Sequence, residues 1–208
     1  LGHCTMAHAN PLLYKATRPL PKSVAIIGAG TIGPDIGYYL KAAIPNLKLY
    51  LVDVSQSALD QARQRFETYS RKAVERKRMT PAQAANIIEN LHTTLDYAAI
   101  SDADLVIEAA TEDIELKRRI FAQVEAVVSK EAIITSNTSS LPAGRIFSEL
   151  KHKNRATVTH FFAPAWRNVI VEVIKWEGAD PTLVDELCWM FCTTGKVPLV
   201  TTDVPCFM

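Results

Sequence analysis

Two groups of residues in this chain have the types and spacing to do chemistry. The first is Gly28-Ala29-Gly30-Thr31-Ile32-Gly33, a G-x-G-x-x-G run closing the apolar stretch Ser23-Val-Ala-Ile-Ile-Gly28. The motif is weak alone and gains meaning where it ends a buried strand and opens a helix. Gly28 permits the tight turn, Gly30 lets a pyrophosphate approach the backbone, and Gly33 lets the helix pack on the strand. Amides at a helix start, here those of Thr31 and Ile32, attract phosphate. Asp53 follows Gly28 by 25 residues, at the end of the next apolar run, Leu47–Val52. A carboxylate there can accept hydrogen bonds from ribose hydroxyls and would repel a 2′-phosphate, and Val54-Ser55-Gln56 brings no Arg to compensate. The cofactor expected is therefore NAD rather than NADP. The bland alternative is a glycine turn in an ordinary strand–helix–strand unit.

The second group is His160 and Glu172. Glu172 interrupts an apolar run, Val169-Ile-Val-Glu-Val-Ile174. A carboxylate in such a strand is costly unless paired. His160 ends another apolar stretch twelve positions earlier and can supply the partner. A histidine beside a carboxylate suits general-base work, because its ordinary pKa of about 6.5 lies near working pH. On the residues alone two other readings stay open. His160 can be a packing residue at a strand end, and Glu172 can face solvent if its strand lies at a sheet edge.

The elements that must position these groups follow from periodicity. Short apolar runs at 23–28, 47–52, 105–108, 132–135, 156–160, 169–174 and 198–201 read as strands. Between them lie amphipathic stretches at 31–43, 56–78, 114–128 and 180–194, read as helices. Thr80-Pro81-Ala82-Gln83 restarts a helix with a capping box. Alternation of this kind gives an α/β chain with a doubly wound, mostly parallel sheet covered by helices on both faces, a Rossmann-type fold. Residues 1–22, with three prolines and no acid, read as an arm or linker, and 23–208 as one dinucleotide-binding domain.

Composition narrows the class. A net charge of +1 gives no field to recruit nucleic acid. No apolar run approaches the ~20 residues of a membrane span. Cys4, Cys188, Cys192 and Cys206 lack metal-ligand spacing, so no metal is expected. They read as small core residues in a reducing compartment, which points to the cytoplasm, or to an organelle matrix in a eukaryote.

Several further motifs follow in order: Asp104-Leu-Val-Ile-Glu108, Glu112 with Lys117, Ser136-Asn-Thr-Ser-Ser-Leu141, His160-Phe-Phe-Ala-Pro164, Val171-Glu-Val-Ile174, Gly195-Lys-Val-Pro198 and Asp203-Val-Pro-Cys-Phe207. Together they resemble the 3-hydroxyacyl-CoA dehydrogenase family over essentially all of 23–208. The resemblance implies NAD-dependent oxidation of a 3-hydroxyacyl-CoA, as in fatty-acid β-oxidation. It makes His160 the base, Glu172 its partner, and Ser139 a contact to the substrate oxygen. It puts Glu112 and Lys117 toward the nicotinamide end of the cofactor, with Ala109 bordering the cofactor and Asn137 among its contacts. It places Arg76, within a basic helix that also holds Arg63, Arg65, Arg71, Lys72, Lys77 and Arg78, by the CoA phosphate, against the simpler reading of a solvated face. The family's helical domain, expected to follow and absent here, carries the homodimer contact and much of the acyl-CoA cleft. Two positions depart from the pattern. Ala163 stands where the family has Asn, and Cys206 where it has Gly.

Overall fold

A computed structural model describes residues 10–205. Its centre is an eight-stranded sheet in the order β3-β2-β1-β4-β5-β6-β7-β8. The strands are β1 (Ser23–Ile27), β2 (Lys48–Val52), β3 (Leu91–Thr94), β4 (Leu105–Glu108), β5 (Ile133–Ser136), β6 (Ala156–Phe161), β7 (Ile170–Lys175) and β8 (Val197–Thr202). The first six run parallel in the doubly wound order expected. β7 is antiparallel to β6 and parallel to β8. Chain direction therefore reverses once, between the strands that carry His160 and Glu172.

Helices cover both faces. α1 (Gly33–Ala43), α2 (Gln56–Glu75), α3 (Pro81–Ile88) and α6 (Pro181–Thr193) pack over Ile26, Leu49, Leu51, Ile107, Phe161 and Val171. α4 (Ile114–Val127) and the single turn α5 (Ala143–Ile146) cover Ala25, Ile27, Val106, Ile134, Val158 and Ile174. Strand residues alternate between the two faces. Val158 and Ile174 therefore put His160 and Glu172 on the α4 side.

Some boundaries differ from expectation. α1 begins at Gly33, not Thr31, because the glycine turn holds residues 30–32 outside the helix. α2 stops at Glu75, three residues short of Arg78; Lys77 takes a left-handed φ of 55°, which an α-helix cannot contain. The capping box forms as read, with Thr80 Oγ1 accepting from the Gln83 amide and the Gln83 side chain accepting from the Thr80 amide. β3 was not expected: Leu-His-Thr-Thr is short and polar, and only pairing with β2 makes it a strand. The arm is not loose where it is described. The Thr17 amide and hydroxyl both donate to Glu186 on α6, and the Lys22 and Ser23 amides to Asp104. Among the described residues no helix is long and apolar enough to cross a membrane. Cys188 and Cys192 are free thiols. Cys4 and the departure at Cys206 lie outside the described residues.

Candidate active site

The glycine turn is built on contacts that only glycine allows. Gly28 has φ +108°, and a Cβ there would sit 2.6 Å from the Ala109 carbonyl oxygen. A Cβ on Gly33 would meet the Gly28 carbonyl at 2.0 Å. These two positions close the turn against β4 and against itself. Gly30 differs, since a Cβ there would meet nothing within 4 Å. Its side faces open space, as a position kept bare for an approaching ligand would. The amides of Gly30, Thr31 and Ile32 have no acceptor among the described residues, while those of Gly28 and Ala29 donate to the Val52 carbonyl and to Asp53. Asp53 Oδ2 accepts from the Ala29 amide at 2.8 Å and Oδ1 from Ser55 at 2.9 Å. The carboxylate is thereby aimed at the turn with acceptor capacity left on both oxygens. These residues fit a pyrophosphate and an adenosine ribose.

Arg65 completes the turn. Its guanidinium donates to the Gly30 and Thr31 carbonyls, each at 2.8 Å, and pairs with buried Asp35 at 2.5 Å. It thus leaves the turn's amides as the groups free to bind. Arg63 also turns inward, to the Leu91 carbonyl. The reading of the basic helix as a solvated or phosphate-facing surface is corrected at these two positions. Arg76 remains exposed just beyond α2 and lines a cavity of about 490 Å³ with Arg78, Trp166 and Arg167. It makes no contact with the His160 pair.

Beyond the turn, a buried network ties β4, β5 and α4 together. Glu108, fully buried, accepts from Lys117 Nζ at 2.7 Å, from the Ala110 amide at 2.6 Å and from the Ser136 hydroxyl at 2.5 Å. Lys117 is itself 1% exposed and reaches Glu112 at 3.3 Å. Glu112 accepts from the Ser139 amide and the Thr138 hydroxyl, both at 2.8 Å, and from the Ser139 hydroxyl at 3.3 Å. Partial burial pushes the Glu112 carboxyl up, but these donors and Lys117 outweigh it and hold it below the usual carboxylate range. Glu112, Lys117 and Ser139 are therefore one connected group. Glu108 is its buried anchor, and sequence reasoning passed over it. The signal was present: an acid ending an apolar strand, the same argument that drew attention to Glu172.

Asn137 ends β5 with its side-chain oxygen accepting from the Phe161 amide at 2.8 Å, which fixes the backbone next to His160. His160 and Glu172 are direct cross-strand partners in the β6–β7 register. His160 Nδ1 lies 2.6 Å from Glu172 Oε2; Glu172 is fully buried and the His160 side chain is 14% exposed. β7 has a neighbour on each side, so the edge-strand alternative for Glu172 does not hold. Oε1 of Glu172 has no protein partner. The imidazole is thus the one group offsetting the carboxylate's burial. A carboxylate only accepts, so the ring proton sits on Nδ1, and Nε2, without a hydrogen-bond partner among the described residues, keeps its lone pair.

Residues 23–204 match the family profile of the 3-hydroxyacyl-CoA dehydrogenase NAD-binding domain. The chain belongs to this family, and its cofactor is NAD. Solved structures agree. The 3-hydroxybutyryl-CoA dehydrogenase of Escherichia coli K12 superposes with a TM-score of 0.87 at 31% identity, over 90% of this chain and 39% of that one. The (S)-3-hydroxybutyryl-CoA dehydrogenase of Ralstonia eutropha gives 0.85 at 27%, over 90% and 66%. A 5-formyl-3-hydroxy-2-methylpyridine 4-carboxylic acid 5-dehydrogenase, an NAD-dependent dismutase, gives 0.79 at 26%, over 90% and 60%. The chain therefore spans well under half of the first of these and about two thirds of the second. Against the family pattern, Ala163 leaves an exposed, apolar position in the link between β6 and β7. The amide in that link is Asn168, whose Nδ2 donates to the Phe162 and Ala163 carbonyls.

Proposed function

We propose that this chain is the cofactor-binding and catalytic part of an enzyme that oxidises a 3-hydroxyacyl-CoA to the 3-oxoacyl-CoA, as in fatty-acid β-oxidation. The observation that carries the reading is the His160–Glu172 pair, with Nδ1 held at 2.6 Å and Nε2 left free. In this reading the substrate hydroxyl gives its proton to His160 Nε2 as its carbon loses hydride and the carbonyl forms. Bound NAD supplies the hydride acceptor. Glu172 fixes the ring tautomer and stabilises the imidazolium that results. Ser139 contacts the substrate oxygen, and Glu112 keeps that serine in place. Gly28, Gly30, Thr31, Ile32, Gly33 and Asp53 hold the pyrophosphate and ribose. Ala109, Asn137, Glu112 and Lys117 border the nicotinamide, with Lys117 acting from below through its ion pairs. Arg76 takes the CoA phosphate. The working enzyme is a homodimer joined through a helical domain that follows this one, and it acts in the cytoplasm or an organelle matrix.

One observation favours a second reading. The likeness to a dehydrogenase named for a pyridine carboxylic acid allows a substrate that is no CoA ester. The full-length protein should oxidise NADH with acetoacetyl-CoA and not with the free acid. Turnover of the free acid alone would move the assignment to the second reading. Absence of any turnover beside tight NADH binding would leave an NAD-binding module with little catalysis, the reading that Ala163 favours.

A further inference from the structure

Lys196 lies between α6 and β8 on the face of the sheet opposite His160, and its side chain is buried, 4% exposed. No carboxylate lies within ion-pairing distance of it among the described residues. Its Nζ donates instead to two backbone carbonyls three residues apart, Ala165 at 2.5 Å and Asn168. It also sits over the Tyr39 ring, 4.2 Å from the centroid, and near the Phe161 ring at 6.0 Å. Both carbonyls belong to the link 162–169, whose one end follows His160 and whose other end leads into Glu172. That link is closed on itself by Asn168, and the Arg167 and Asn168 amides bond the Pro164 carbonyl. Among the described residues, Lys196 is the one charged side chain from outside the link that bonds it. Tyr39 belongs to α1, the helix that opens at the glycine turn, and its hydroxyl bonds Thr194 at the end of α6.

We propose that Lys196 is a positioning residue: its ammonium pins the link between β6 and β7 to the cofactor helix, and so sets the His160–Glu172 pair relative to the bound cofactor. The effect on catalysis rests on the function proposed above, whereas the pinning does not. A buried ammonium without a counter-charge is a poor choice for stability alone, since an apolar side chain would fill the same space without desolvating a charge. What the ammonium adds is direction: three donors that order two peptide carbonyls and a ring face. Burial pushes Lys196 down to about 8. The titratable group packed on it is Tyr39 of α1, pushed up by burial, with Cys192 of α6 next to that tyrosine and also pushed up by burial, so neither supplies a counter-charge. The pin is therefore charged at neutral pH and released in mildly alkaline solution.

Trp166 lies within the link, packed on Tyr69 and partly exposed, and reports on it. The experiment labels the full-length protein with 5-fluorotryptophan and follows the ¹⁹F resonance that Trp166→Phe removes, from pH 6.5 to 9.5. In the wild type this resonance should move with a midpoint near pH 8. In Lys196→Met it should stay at one position throughout, and in Lys196→Arg it should keep the low-pH position to the end of the range. In parallel, Lys196→Met should lower kcat with acetoacetyl-CoA about 10- to 100-fold, the scale of a misplaced reacting group. NADH affinity should change less than twofold, and Lys196→Arg should recover most of kcat. A wild-type resonance that does not move, or one that moves alike in Lys196→Met, overturns the proposal. If Lys196→Met does not fold, the wild type and Lys196→Arg decide, because a transition near pH 8 in both overturns it as well. An enzyme inactive on every acyl-CoA would remove the proposed function and leave the ¹⁹F result to judge the pin.

Discussion

Replacing Glu172 by Gln tests the catalytic pair with almost no change of shape. The side chain is fully buried and holds His160 Nδ1 at 2.6 Å. Gln keeps a neutral acceptor for that nitrogen and removes the charge. A hydrogen bond to a charged group is worth about 1.5–3 kcal/mol against about 1 for a neutral one. Unit charges about 4 Å apart interact by roughly 4 kcal/mol at an effective dielectric of about 20. The imidazolium formed when His160 accepts the substrate proton should therefore lose about 2–4 kcal/mol of stabilisation. In rate this is roughly 30- to 1000-fold in kcat. The assay is steady-state oxidation of 3-hydroxybutyryl-CoA by the full-length protein, with NADH affinity measured separately by fluorescence. Affinity should stay within about twofold, because the contacts that fit the cofactor are at the glycine turn. A kcat within about threefold of wild type would refute the argument that the pair acts as a unit.

The two kinds of glycine should separate in one experiment. Gly28→Ala, with φ +108° and a backbone oxygen 2.6 Å from the new Cβ, should cost about 2 kcal/mol or more in urea unfolding. Gly30→Ala should leave unfolding unchanged within about 0.5 kcal/mol and weaken NADH binding at least tenfold; equal affinity would show that the open side of the turn does not face the pyrophosphate. Asp53 should give a clear preference for NADH over NADPH, and Asp53→Asn should narrow it; no preference in the wild type would remove the argument from its charge. Lys196 is lowered from 10.5 to about 8 on folding, so the folded chain binds fewer protons than the unfolded one between those values. Its contribution to stability should therefore rise across pH 8 to 10.5, by about 3 kcal/mol at the upper end; urea unfolding of wild type against Lys196→Met should show the rise in the wild type alone.

Most of the strands and the glycine turn were legible because each rests on short-range pattern. Apolar runs gave every strand but β3, whose polar Leu91-His-Thr-Thr94 acquires its state only from β2 beside it. Glu172 was legible as a carboxylate too costly to leave alone, and the β6–β7 register supplies the partner. Arg65 was not legible. A cation on a charged helix looks solvated until the fold shows the Gly30 and Thr31 carbonyls across from it. Lys196 was hidden for the converse reason. Its neighbours are backbone carbonyls, which leave no trace in residue type.

The single antiparallel neighbour in the sheet has a consequence for how the pair is made. His160 and Glu172 are twelve positions apart and meet across adjacent strands, whereas Glu108 and Ser136 come together over 28 and Thr17 and Glu186 over 169. Closing a loop costs entropy that grows with its length, by about 0.6 kcal/mol per doubling. The histidine and its carboxylate are thus cheaper to bring together than either of those pairs. A hairpin of this size can assemble in microseconds. The pairing of the imidazole with its carboxylate is accordingly encoded within one hairpin, and a substitution confined to the glycine turn, such as Gly30→Ala, should reduce cofactor affinity while leaving that pairing intact.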